Sequence, residues 1–287
     1  MIFIRQEITE FTYSNIVSSV AEYNPTTNYI LGDMVRVGNY EYKSLYGTVA
    51  LPNKNKAPLS NLGTAWFEYG SSNTYACLDS YAETKTVWAG DGILEFMRAT
   101  KDTLGIGNFT ANKVTIEYRD NLGNVLDSDV YTYSNNALVI DEWTYGYADF
   151  QSMTNEVIFL PLRILGAKIR VIFEKNGNAT DCGYLVAGRA SYMGRTVDDV
   201  TFPDKRIGNK VVPVANFSTS IESSFIMTKM NEAKKLINET MLFVIDDTDS
   251  IVFGNMVFLG KITKVDGNAN NFEKNQITWQ IEQTILI

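Results

Sequence analysis

Any chemistry this chain performs has to be done without imidazole, because it contains no histidine. That removes Ser-His-Asp and Cys-His catalysis, histidine-ligated zinc or haem, and an imidazole pH switch. Carboxylates are the next candidates. Asp141 and Glu142 lie beside Trp143 and Tyr145, a mixture suited to a sugar cleft. Neighbours on a strand point to opposite faces, however, whereas glycoside hydrolysis needs two carboxyl groups facing each other across the bond. A glycoside hydrolase using either acid is therefore only a second alternative. Asp246, Asp247 and Asp249, the pair Asp198 and Asp199, and the run from Asp266 to Asn270 are oxygen-rich. Such clusters can hold Ca²⁺, but none fits a twelve-residue EF-hand loop, and Asp and Asn are also ordinary turn residues. Gly105-Ile106-Gly107-Asn108 lacks the Gly-Lys-Ser/Thr and the third glycine of a phosphate loop. Arg189 and Arg195 sit near turns, where pairing with nearby acids is the simpler role. No catalytic residue, metal site or cofactor is expected, and the chain reads as a non-enzyme.

Charge and cysteine content narrow the partners. There are 25 Lys and Arg against 33 Asp and Glu, a net charge of −8 over 287 residues. Nucleic-acid backbones require a positive field, so they are not expected as partners. Two cysteines, Cys77 and Cys182, are too few for a disulfide framework, and buried thiols are expected. No stretch of 18 apolar residues suggests a membrane span, and the N-terminus does not read as a secretion signal. Four glycosylation-type sequons, at Asn108, Asn178, Asn216 and Asn238, are expected by chance in a chain rich in Asn, Ser and Thr.

The positioning framework reads as mainly β. Short apolar runs rich in Tyr, Phe, Thr and Val are punctuated by Gly, Asn and Asp. Residues 1–19 form an arm or strand. Residues 20–72 form a small aromatic β-module with a Gly38-Asn39 hairpin turn. Residues 73–200 form a β-sandwich-like domain. There Val114, Ile116 and Tyr118, then Ile169, Val171 and Phe173, alternate with polar neighbours. Residues 201–287 form a C-terminal strand–helix–strand region. Thr219 and Glu222 fit a capping box ahead of an apolar stripe of Ile226, Met230, Ala233 and Ile237. Met241 to Ile245 is a buried strand, and Met256 to Val265 and Gln276 to Ile287 are a closing pair.

Two stretches carry resemblances. Tyr29, Gly32-Asp33, Val35, Gly38, Tyr40, Tyr42 and Trp66 follow the order of the carbohydrate-binding 5/12, chitin-binding-like modules. The resemblance implies that Trp66 with Tyr42 or Tyr40 forms a flat platform for a host-surface glycan; the alternative is that these rings fill the core of a small domain. Gly188-Arg189-Ala190, Gly194-Arg195-Thr196 and Asp204-Lys205-Arg206-Ile207-Gly208-Asn209 are similar to a recurring stretch in structural proteins of tailed bacteriophages. That resemblance implies a virion tail component of the baseplate, hub, collar or fibre-attachment type, assembled in the host cytoplasm. Its partners would be copies of itself and neighbouring virion proteins. Strands at Met1–Ile4 and Gln276–Ile287 are expected either to add to a neighbour's sheet or to pair within their own chain. A cellular carbohydrate-binding accessory protein is the first alternative.

Overall fold

The computed structural model describes residues 2–18, 20–79, 81, 84–132, 157–162, 166–193, 195–196, 204–207, 210–220, 223–245, 256–268 and 276–283. Asp141, Glu142, Asp198, Asp199, Asp246, Asp247, Asp249 and Glu222 lie outside the described residues. The chain is mainly β, with several antiparallel sheets and, among the described residues, one α-helix. The first strands are β1 (Ile2–Arg5), β2 (Tyr13–Ser14), β3 (Met34–Val37), β4 (Tyr40–Ser44), β5 (Trp66–Ser71), β6 (Thr86–Trp88) and β7 (Gly92–Met97). The middle strands are β8 (Thr103–Thr110), β9 (Lys113–Arg119), β10 (Val125–Thr132), β11 (Val157–Pro161), β12 (Lys168–Glu174), β13 (Thr180–Gly188) and β14 (Ala190–Tyr192). β15 (Arg195–Thr196), β16 (Asp204–Ile207) and β17 (Lys210–Ser220) precede helix α1 (Ser223–Lys235). β18 (Thr240–Ile245), β19 (Met256–Asn268) and β20 (Gln276–Gln283) close the chain.

Period-two alternation builds the sandwich. One sheet runs β10-β9-β12-β7-β2 and the other β11-β8-β13-β6. Val114, Ile116 and Tyr118 of β9 and Ile169, Val171 and Phe173 of β12 are fully buried between them. Facing them are Leu104, Ile106, Phe109, Leu185 and Ala187 from the second sheet. Odd and even positions both appear in that set because the two strands change face together. Cys182 pairs with Phe109 and Tyr184 with Gly107, and between them Asn108 takes φ +53° opposite Gly183. A Cβ on Gly183 would lie 2.7 Å from the Asn108 Nδ2, so the irregularity needs a glycine there.

A third layer covers the outer side of the second sheet. It runs β14-β1-β18-β19-β20-β17-β15, with β16 paired to β17. Ile4, Leu242 and Leu259 from this sheet pack on Tyr184 and Val186 of β13. The glycines of β8 make the approach close enough. A Cβ on Gly105 would fall 2.0 Å from Leu242 Cδ2, and one on Gly107 would fall 2.1 Å from Tyr184 Oη. Gly105-x-Gly107 is therefore a packing motif within a strand. β18 is buried on both faces: Leu242 serves this seam, while Met241 and Phe243 serve a second core with Trp279, Ile281, Met230 and Ala233.

Helix α1 lays Met230, Ala233 and Leu236 into that second core, with Ile237 packed against it. Thr219 does not cap the helix. It is a fully buried residue of β17, and its Oγ1 accepts a 2.8 Å hydrogen bond from Trp279 Nε1. The indole N–H has no other way to be satisfied in an apolar core, so the hydroxyl is used across the sheet.

The N-terminal arm staples the layers together. β1 lies between β14 and β18. Glu7 N–H donates to Ala187 O at 2.9 Å and Gln6 Nε2 to Leu185 O at 2.6 Å, both on β13. β2 then joins β7 in the first sheet. At the other end, β20 lies between β17 and β19. Both terminal strands thus have neighbours on each side within their own chain. Over the described residues, 2–5 and 276–283, their backbone hydrogen bonds are used within the chain and are not free to extend a neighbour's sheet; Met1 and residues 284–287 lie outside the described residues.

Candidate functional site

The aromatic module folds as the sheet β3-β4-β5. Gly38-Asn39 joins β3 to β4, and Gly38 takes φ +61° at the first turn position. Positive φ there alone fits a II′ hairpin, which glycine adopts without strain. Asp33 accepts a 2.8 Å hydrogen bond from the Ile30 N–H through Oδ2, closing the turn that leads into β3. Glu22 and Arg36 form a 2.7 Å ion pair on the surface.

The rings meet inside the module. Tyr29 and Trp66 are edge to face at 5.3 Å, Tyr23 and Trp66 edge to face at 5.9 Å, and Tyr23 stacks on Tyr29 at 5.7 Å. Such tilted geometries match ring edges to ring faces and stabilise small aromatic cores. The Trp66 Nε1 donates to the Lys56 carbonyl at 2.6 Å. Buried Asn53 donates from Nδ2 to Ser44 Oγ at 3.0 Å and to Ala65 O at 3.1 Å, pinning the long loop beneath the sheet. Burial pushes the Tyr42 hydroxyl upward, and the Glu68 carboxylate adds to it.

This arrangement corrects the expected platform. Trp66 is 0% exposed and Tyr42 1%, so neither ring has a face free to stack on a sugar. A domain of about fifty residues has few large side chains with which to exclude water, and it uses these two. Tyr40 differs: it is 46% exposed at the hairpin end of β4. Two rings not expected from the motif join it on the surface, Phe67 at 55% and Tyr69 at 62% exposure. The signal was present in the alternation of Trp66-Phe67-Glu68-Tyr69. Once Trp66 faces inward, Phe67 and Tyr69 face outward, with a bulge opposite Glu41 and Tyr42 shifting the register beside Tyr69. Lys43 lies opposite Phe67 and is exposed with it.

Elsewhere several of the described acids are engaged in structure. Glu95 projects from the outer face of the sandwich into Arg170 at 2.8 Å, Lys168 at 3.4 Å and the Thr12 hydroxyl at 3.0 Å. Burial alone would raise the Glu95 carboxyl, but the Thr12 hydroxyl and the Arg170 guanidinium outweigh it and hold it below its usual value. Arg170 also lies over the Tyr13 ring at 5.1 Å, so this network fastens the arm to the sandwich. Glu117 binds Arg119 at 2.7 Å, and Asp181 binds Lys85 at 2.9 Å. Asp266 pairs with Lys264 at 2.7 Å on the surface. Among the described residues no group of three or more His, Cys, Asp or Glu side chains is placed to hold a metal. No described helix is long and apolar enough to cross a membrane.

Comparison with family models, curated proteins and solved structures finds no match to this chain.

Proposed function

We propose that the chain is a structural component of a tailed-phage virion, at the tail, baseplate, collar or fibre attachment. It acts by homo-oligomeric assembly and by contact with neighbouring virion proteins. The observation that carries this reading is the distribution of exposed apolar side chains. Of the twenty large hydrophobic residues that are exposed among the described residues, ten belong to the 53-residue module: Ile30, Leu31, Tyr40, Leu45, Val49, Leu51, Leu59, Leu62, Phe67 and Tyr69. Apolar exposure concentrated in one small module suits a protein that makes contacts with others. Several described acids, by contrast, hold ion pairs and turns, which suits a protein that works by shape.

Light scattering of the purified chain across a concentration range tests the proposal. A defined multiple of 32.2 kDa is expected, reduced or abolished by Phe67→Ser with Tyr69→Ser. A strict monomer that also fails to co-assemble with tail proteins would overturn it.

The exposed rings of Tyr40 on β4 and of Phe67 and Tyr69 on β5 favour a second reading, glycan contact by a carbohydrate-binding accessory protein. An exposed flat ring can stack on the apolar face of a pyranose ring. A monomer that binds oligosaccharides on an array, and loses binding in Tyr40→Ala and Phe67→Ala, would replace the assembly reading with this one.

A further inference from the structure

The two cysteines stand 105 positions apart in the chain, yet both belong to the core between the sandwich sheets. Cys77 sits in a single 3-10 turn, Ala76–Leu78, that follows the aromatic module. Its backbone N–H donates to Thr86 Oγ1 at 2.9 Å. Thr86 on β6 is the residue directly opposite Cys182 on β13. The turn is thus anchored to the cross-strand partner of the second cysteine, and it packs against β13, the strand that carries Cys182. The Cys182 thiol also reaches the Tyr184 carbonyl at 3.4 Å. The paired irregularity at Asn108 and Gly183 is what turns Cys182 to the inner face, where Cys77 lies. Both cysteines are free, and they are 1% and 0% exposed.

We propose that Cys77 and Cys182 are a disulfide site, which closes when the chain folds in the presence of a small-molecule disulfide such as glutathione disulfide. One protein thiolate attacks the disulfide and releases one thiolate of the reagent. The second protein thiolate attacks the mixed disulfide and releases the other. The protein sulfurs give up two electrons and two protons, and the reagent leaves as two thiols. Closure belongs to folding because the finished core blocks the reagent, and burial also pushes the Cys182 thiol up, away from its reactive thiolate form. The bond would close a loop of about a hundred residues and tie the exit of the aromatic module to an inner strand of the second sheet. This inference does not depend on the assembly role.

The full chain is unfolded in guanidinium, refolded with oxidised and reduced glutathione, and checked for native circular dichroism. Intact mass, thiol count under denaturing conditions and a peptide map are then read. Loss of two hydrogens, no free thiol and a Cys77–Cys182 peptide are expected. The melting temperature should rise by roughly 5–15 °C over the reduced chain. Cys77→Ala and Cys182→Ala should each leave one thiol, free or bound to glutathione, and lose the shift. A native-like product with two free thiols, or with glutathione on both, would overturn the proposal. If refolding fails, expression into an oxidising compartment gives the same readout: a linked pair supports the site, and two free thiols in folded protein overturn it.

Discussion

The aromatic module and the sandwich draw on the same kinds of residue and reach opposite economies of burial. Among the described residues the sandwich encloses nineteen buried residues in one cluster, mostly aliphatic and set by alternation along long strands. The module encloses five: Tyr29, Val35, Tyr42, Ala65 and Trp66. With so few, each large ring is indispensable, and the loops around them expose apolar side chains that a larger body would cover. The difference explains why a motif that looks like a binding platform became a core. Small domains consume their largest side chains internally, and only the rings left over on the sheet edge can meet a partner.

The comparison breaks most sharply at Trp66. Trp66→Ala should cost about 3–5 kcal/mol, seen in thermal or urea unfolding as an early separate transition of the module while the sandwich signal stays near its wild-type midpoint. A single cooperative transition, shifted as a whole, would mean that module and sandwich unfold as one unit. Next in size is the seam between layers. Gly105→Ala puts a methyl group where Leu242 Cδ2 now lies. Overpacking of this kind should cost about 1–3 kcal/mol by urea denaturation, relieved in part by Leu242→Ala. Additive effects would show that the two residues do not meet.

A pH series sharpens the role of the network that fastens the arm to the sandwich. The Glu95 carboxyl is held below its usual value, so its stabilisation is complete above the unfolded glutamate pKa of about 4.3 and is lost as pH falls through the lower folded value. The urea midpoint of the native chain should therefore drop between about pH 4.5 and pH 3. Glu95→Gln should be less stable at pH 7 and flatter across that window. Equal slopes in the two proteins would remove Glu95 from the account. The smallest effect belongs to the surface rings. Tyr40→Ala and Phe67→Ala should change stability by no more than about 0.5 kcal/mol, while weakening association or glycan binding. A large loss of stability would place those rings in the packing of the module.

Much of the framework was legible locally. The alternation of Val114, Ile116 and Tyr118 and of Ile169, Val171 and Phe173 announced two-faced strands, and those residues are buried. Gly38-Asn39 announced its hairpin, and of the stripe Ile226, Met230, Ala233 and Ile237 the last three face the second core, while the Ile226 side chain lies outside what is described. Thr219 misled because Ser/Thr-x-x-Glu spacing is a local signal, while the buried indole of Trp279 is a distant one.

By itself the sequence determined the mainly-β character, the strand faces, the turns and the exclusion of imidazole chemistry. Each of these depends on side-chain type and spacing within a few residues. The tertiary structure alone decided which rings of the module face water, how the arm threads three sheets, why β8 carries two glycines, and that Cys77 and Cys182 share one core. Those outcomes depend on which remote segment covers each apolar face. Periodicity reports that a face must be covered, and the number of ways to cover it is large until the whole chain has packed.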